Sequence, residues 1–288
     1  MTPTIAIRGR GISVSIAHHG AEPVSVRDEA GHEYLWSGDA PWKRHAPILF
    51  PVICRVPDDQ ILVGDQTYPM PQHGFARDRG WSVVDSAHDR ATLVLVADER
   101  TRQHYPFDFA LAVAYVAGDR SLTTTYTVEN QGDEPMPFSL GWHPAFVWPL
   151  EEGTARTLHE VRFDEPETAP FRRVVDNLLT EQQYDNPAWE RTLMLHDSLF
   201  ADGAVIMPDV RSTGLTFSAN TGRQVRLTWE GFTGITVWSI PEARFVCIEP
   251  WRGLPAPTGY SGQFAGKPGS VILAPGERQE FSHRLDLI

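Results

Sequence analysis

The sequence predicts an all-β protein, a large antiparallel β-sandwich with few short helices. Three observations predict it. Apolar and polar residues alternate with a period of two in run after run, the pattern of strands with one face on a core. Turn-forming residues punctuate the runs, with 23 glycines and 23 prolines in 288 residues. Strands do not alternate with long amphipathic helices, which argues against a doubly wound α/β fold.

Along the chain, Ile12, Val14 and Ile16 alternate with Ser13, Ser15 and Ala17. Leu93 and Leu95 alternate with Val94 and Val96, and Leu122, Thr124, Tyr126 and Val128 with Thr123, Thr125, Thr127 and Glu129. Val225, Leu227 and Trp229 flank Arg226 and Thr228. β-Branched and aromatic residues fill these runs and suit a pleated surface. Turns are expected at Gly31-His32, Gly118-Asp119, Asn130–Asp133, Asn220-Thr221-Gly222 and Pro275-Gly276-Glu277. The stretch 151–208 is the least regular and reads as an excursion from the sandwich. Within it, Val174–Gln183 and Pro187–Leu195 are expected as short helices or loop.

At roughly 150 residues per domain, the length allows one or two domains. No composition break marks a linker, so residues 1–288 read as a single domain. Lys and Arg number 25 against 37 Asp and Glu, a net charge of −12. That field repels phosphate and argues against nucleic acid or an anionic membrane as partner. The first residues, Met1–Arg8, lack a basic region followed by an apolar core, so no signal peptide is expected. No apolar stretch is long enough to span a membrane. The expected address is cytoplasmic, and Cys54 and Cys247 read as small buried thiols.

Four segments break the strand pattern. The run 44–56 ends an apolar, proline-punctuated stretch on Arg55. A core strand has no use for that cation unless it meets a carboxylate or a ligand. In 71–81, His73 precedes Gly74, so the backbone is free to turn there, and Arg77, Asp78 and Arg79 form a charge run. In 138–146, Ser139, Gly141 and His143 share one strand face, opposite Phe138, Leu140 and Trp142. In 244–251, Phe245, Cys247 and Glu249 share a face, so Glu249 is costly if buried unpaired. Such burial would raise its pKa and make it a better base near neutral pH. Each of these residues also admits a bland reading, as a salt-bridged Glu or Arg or a hydrogen-bonded structural His. No metal-ligand set stands out: His18-His19 are adjacent and point to opposite strand faces, and there is no CxxC. Serine-nucleophile elbows and phosphate-cradling glycine loops are absent too.

Taken together and in order, Pro47–Val56, His73-Gly74-Phe75-Ala76-Arg77, Gly141–Phe146 and Ile248-Glu249-Pro250-Trp251 resemble the aldose 1-epimerase (galactose mutarotase-like) family. Leu273–Glu277 is similar to that family's last hairpin. The resemblance spans nearly the whole chain and implies the galactose mutarotase-like supersandwich. It implies Glu249 as general base, His143 as general acid and His73 as a second imidazole beside the sugar. It further implies Arg55 as a sugar-contacting residue and Asp202 as the hydroxyl-binding Asp, although Gly203 interrupts the usual run there. No metal or organic cofactor is implied. The expected partner is a small-molecule sugar, a hexose or hexose phosphate, and the protein is expected as a monomer or homodimer.

The chemistry suits those residue types. Interconverting anomers requires a proton taken from the C1 hydroxyl and one given to the ring oxygen, then reclosure on the other face. The nearby Glu249 carboxylate would favour His143 in its charged form. Trp142, Phe146, Trp251 and Phe75 are candidates for an aromatic wall, or for core packing. Arg77 and Arg79, with Lys43 or Arg44, are candidates for clamping a phosphate, which keeps a hexose-6-phosphate epimerase as the alternative. A carbohydrate-binding protein without turnover and a glycoside hydrolase are the other readings. The hydrolase ranks lower because only Glu249 offers itself where two carboxylates are usual.

Overall fold

The computed structural model describes residues 3–219 and 221–288. Met1, Thr2 and Asn220 lie outside the described residues, so the terminus reading and the Asn220-Thr221-Gly222 turn are only partly covered. Two large antiparallel sheets face each other. The first runs, edge to edge, Thr192–Met194, His159–Phe163, Gly214–Ala219, Gln224–Glu230, Arg278–Leu287, Ser121–Asn130, Phe109–Ala117, Arg90–Val96 and Ser82–Ser86. The second runs Leu178–Tyr184, Phe171–Val175, Val205–Met207, Gly234–Trp238, Phe245–Arg252, Leu140–Trp142 and Ile48–Leu49. Ala145–Val147 also pairs with Phe245–Arg252.

The period-two runs become the central strands of the first sheet. In Ser121–Asn130, Leu122, Thr124, Tyr126 and Val128 are buried, while the threonines between them are half-covered. The inner faces interlock through ring pairs across the interface, Phe146 with Phe217 and Trp142 stacked on His283 at 3.9 Å, and Phe138 of the separate strand Met136–Phe138 packs on Phe281. One hydrophobic cluster draws on residues from Ile7 to Leu287. Trp142, Phe146 and Phe75 belong to it, so three of the four candidates for a sugar-facing wall are core residues.

Several expectations are corrected. The irregular stretch is not an excursion, because it supplies strands to both sheets. Val174–Gln183 is not helical; Phe171–Val175 and Leu178–Tyr184 form a hairpin around Asp176-Asn177. Both turn residues have positive φ, 52° and 62°, as a two-residue turn matched to strand twist requires. Pro187–Leu195 likewise contains a strand, Thr192–Met194, and no helix. Leu273–Glu277 is no hairpin: Val271–Leu273 pairs with Met136–Phe138, whereas Arg278–Leu287 enters the first sheet. Cys54 also leaves the strand pattern, with φ 54°.

Candidate active site

The outer face of the second sheet carries a cleft of about 560 Å³. Its floor is the strand Phe245–Arg252. Val246 and Ile248 of that strand point into the core, so Phe245, Cys247, Glu249 and Trp251 take the other face. The strand changes partners halfway along. Ala145 stands opposite Cys247 and Gly141 opposite Trp251. Carried across the gap between those pairs, the register sets His143 opposite Glu249. Pro144 and Pro250, which lack a ladder donor, sit where the pairing is interrupted. Two side chains of opposite sheet strands thus meet by topology, from positions 106 residues apart along the chain (143 and 249).

The pair is deeply seated, with Glu249 1% and His143 6% exposed. His143 Nδ1 makes no hydrogen bond and faces Glu249 Oε1 at 3.5 Å. Trp251 Nε1 donates to Glu249 Oε2 at 3.1 Å. That indole lies over Gly141, where a Cβ would come within 2.9 Å of the Trp251 ring, so glycine is required. Burial pushes Glu249 well above the usual carboxylate range, against the hydrogen bond from Trp251. Burial and the Arg77 cation push His143 down to about 3. The expectation that Glu249 holds His143 charged is therefore reversed: desolvation outweighs attraction, and both groups favour their neutral forms.

His73 reaches the same place from a separate loop. Its N–H donates to Cys54 O at 2.7 Å, and Cys54 N–H donates to His73 Nδ1 at 3.1 Å. His73 and Cys54 both have positive φ, 64° and 54°. Because Nδ1 accepts a backbone N–H, the ring proton of neutral His73 stands on Nε2. Burial, Arg77 and His143 hold His73 well below the ordinary histidine range. Its ring lies 5.5 Å from that of His143. Gly74, φ 71°, lets the loop pass Phe50 O, which a Cβ would meet at 2.0 Å.

Two tryptophans missed by the sequence reading form the wall. Trp42 stacks on His143 at 4.9 Å and Trp238 stands edge-on to it at 5.8 Å. The buried Glu22 carboxylate fixes the Trp42 segment by accepting the N–H groups of His45 and Ala46 at 2.6 and 2.7 Å. Arg44, Gln72, Arg77, Asp176, Asn177, Gly203 and Ala204 complete the rim. Arg77 is braced on Gln72 O at 2.6 Å, and Arg44 on Asp78 at 3.0 Å. Asp176 and Asn177 come from the hairpin turn, tied down where Arg55 N–H donates to Asn177 O. A hairpin reading of Val174-Val175-Asp176-Asn177-Leu178-Leu179 would have found them.

Two expected residues are not brought to the cleft. The Arg55 side chain turns to Asp59, Nε to Oδ1 at 2.8 Å, in a neighbouring groove. Asp202 is exposed on a turn, and its neighbours Gly203 and Ala204 line the cleft instead. Arg79 lies over the Phe75 ring, and neither it nor Lys43 lines the cleft. Cys54 and Cys247 are both buried free thiols. Donor atoms of His143, Cys247 and Glu249 lie within 4.8 Å of one another. The sequence concealed that set because His143 lies in the break between Leu140–Trp142 and Ala145–Val147, whereas Cys247 and Glu249 stand on Phe245–Arg252.

Comparisons with known proteins agree with this architecture. Residues 3–285 match the aldose 1-epimerase family. The chain is 26% identical to protein LacX of Lactococcus lactis subsp. lactis over 99% of both. It superposes on a galactose mutarotase-like protein from Lactobacillus casei with a TM-score of 0.93 at 32% identity, over 99% of this chain and 100% of that one. A galactose mutarotase related enzyme from Lactobacillus acidophilus gives 0.94 at 28% identity, over 99% and 97%. With a family match over nearly its whole length, the chain belongs to the aldose 1-epimerase family and is by class an isomerase.

Proposed function

We propose that residues 1–288 act as one catalytic domain that interconverts the α and β anomers of a free hexose. The observation that carries this reading is the buried Glu249–His143 pair on the floor of a Trp-walled cleft. Opening a hemiacetal takes a proton from O1 and gives one to the ring oxygen, and both oxygens sit on C1. Acid and base must therefore converge on one carbon, which suits a spacing of 3.5 Å. Glycoside hydrolysis instead uses two carboxylates roughly 5–9 Å apart.

In the neutral pair His143 keeps its one ring N–H, and the transferable proton is on Glu249. Passing it from Glu249 to His143 leaves the carboxylate as base for the C1 hydroxyl and the imidazolium as acid for the ring oxygen. After rotation about C1–C2, reclosure on the other face reverses both transfers. His73 Nε2–H would donate to a sugar hydroxyl. Trp42 and Trp238 offer aromatic faces to the sugar's C–H surface. Asp176, in place of Asp202, is the rim carboxylate that would read hydroxyl configuration. The free thiols accord with a reducing cytoplasm.

Arg44 and Arg77 favour a second reading, a hexose phosphate whose phosphate they would clamp. Anomer exchange of glucose, galactose and glucose 6-phosphate, followed with and without the protein, tests both. Acceleration of the free sugars supports the first reading. Acceleration of the phosphate alone supports the second, and no acceleration of any of the three sinks both.

A further inference from the structure

Cys247 stands on the same strand face as Glu249, two residues away, and anomer exchange gives it no task. It is fully buried and forms no disulfide. Its Sγ, a ring nitrogen of His143 and a Glu249 oxygen lie mutually within 4.8 Å. His143 Nδ1 is buried, faces Glu249 Oε1 and has no hydrogen-bond partner. A nitrogen, a sulfur and a carboxylate oxygen form the donor set of a borderline-soft ion, not of Mg²⁺ or Ca²⁺, which prefer oxygen alone. In a tetrahedral zinc site with bonds of about 2.0–2.2 Å, nitrogen and oxygen donors stand roughly 3.4 Å apart. His143 Nδ1 and Glu249 Oε1 stand 3.5 Å apart. The thiol would close in by up to about 1 Å to complete a three-ligand set, leaving the fourth position to water or a sugar hydroxyl from the cleft.

We propose that His143, Cys247 and Glu249 form a site for Zn²⁺ and ions like it, and that its occupancy shuts the enzyme off. A bound ion occupies the two groups that carry protons during anomer exchange. Binding expels the Cys247 thiol proton, and any proton on Glu249, to solvent, so affinity rises with pH. The second half of this proposal rests on the function proposed above; the site itself does not.

Calorimetric titration with ZnCl₂ tests the site directly. The wild type should bind one ion per chain, and C247A and C247S should each weaken that binding at least about tenfold. C54A should bind as the wild type does. Cd²⁺ added to C54A should produce a thiolate-to-metal absorption band that a C54A/C247A double variant lacks. Equal Zn²⁺ affinity in wild type and C247A, or no Cd²⁺ band in C54A, would overturn the site and assign binding to surface histidines. For the shut-off, C247A should exchange anomers like the wild type without zinc and need at least about ten times more zinc for inhibition. Zinc binding through Cys247 without any loss of turnover would overturn the inhibitory role. A protein inactive on every sugar would refute the proposed function and leave the site judged by calorimetry and the Cd²⁺ band.

Discussion

Replacing Trp251 by Phe removes the N–H that holds Glu249 Oε2 at 3.1 Å while keeping an aromatic ring over Gly141. A buried hydrogen bond to a charged group contributes about 1.5–3 kcal/mol. It stabilises the carboxylate and not the acid, so its loss pushes the base's pKa further upward. In the proposed cycle the carboxylate forms as the pair's proton passes to His143, so a less stable carboxylate lowers the reacting population, and turnover, about 10–100-fold. The alkaline limb of the pH–rate profile, where the pair loses that proton, should move upward. Anomer exchange measured across pH by NMR, corrected for the spontaneous reaction, reads this out. Turnover within about twofold of the wild type with an unmoved alkaline limb would refute the reasoning, because it would assign Trp251 to packing alone.

Further expectations follow from the same geometry. Asp202→Ala should leave kcat/KM within about threefold, whereas Asp176→Ala should raise KM and alter the preference between sugars epimeric at one hydroxyl; a reversed order would restore Asp202 to the site. Gly74→Ala, at φ 71° against Phe50 O, should cost more than about 3 kcal/mol in urea unfolding, and a cost under 1 would contradict the close approach. Burial pushes His283 down to about 3, below the ordinary value of 6.5, so the unfolded chain takes up protons that the folded chain refuses. That contribution is complete above pH 6.5 and is lost as pH falls toward 3, at up to about 1.4 kcal/mol per pH unit for this histidine. His283→Phe should flatten part of that slope in denaturation measured at several pH values, and an unchanged slope would show that His283 takes no part.

Much of this was legible in local pattern. Alternation located the strands around Ile12, Leu93, Leu122 and Val225, because each covers a core with one face. It also placed His143 and Glu249 on cleft-facing sides of their strands. Their meeting was not legible, since it depends on a register shared by strands far apart in sequence. Arg55 was misplaced for a related reason: its backbone pins the Asn177 turn, but Asp59, four residues on, takes its guanidinium. The charge of His143 was misjudged because proximity in sequence pattern carries no measure of desolvation. Trp42 escaped notice in a proline-flanked loop whose position depends on the distant Glu22.

The central claim, that Glu249 and His143 act together as base and acid, is tested most directly by polarimetry of freshly dissolved α-glucose and α-galactose with wild type and Glu249→Gln. Gln keeps the size and the Trp251 contact but cannot take a proton. The account predicts acceleration by the wild type and a loss of about 10²–10⁴-fold in the variant. Equal acceleration by both proteins would contradict it.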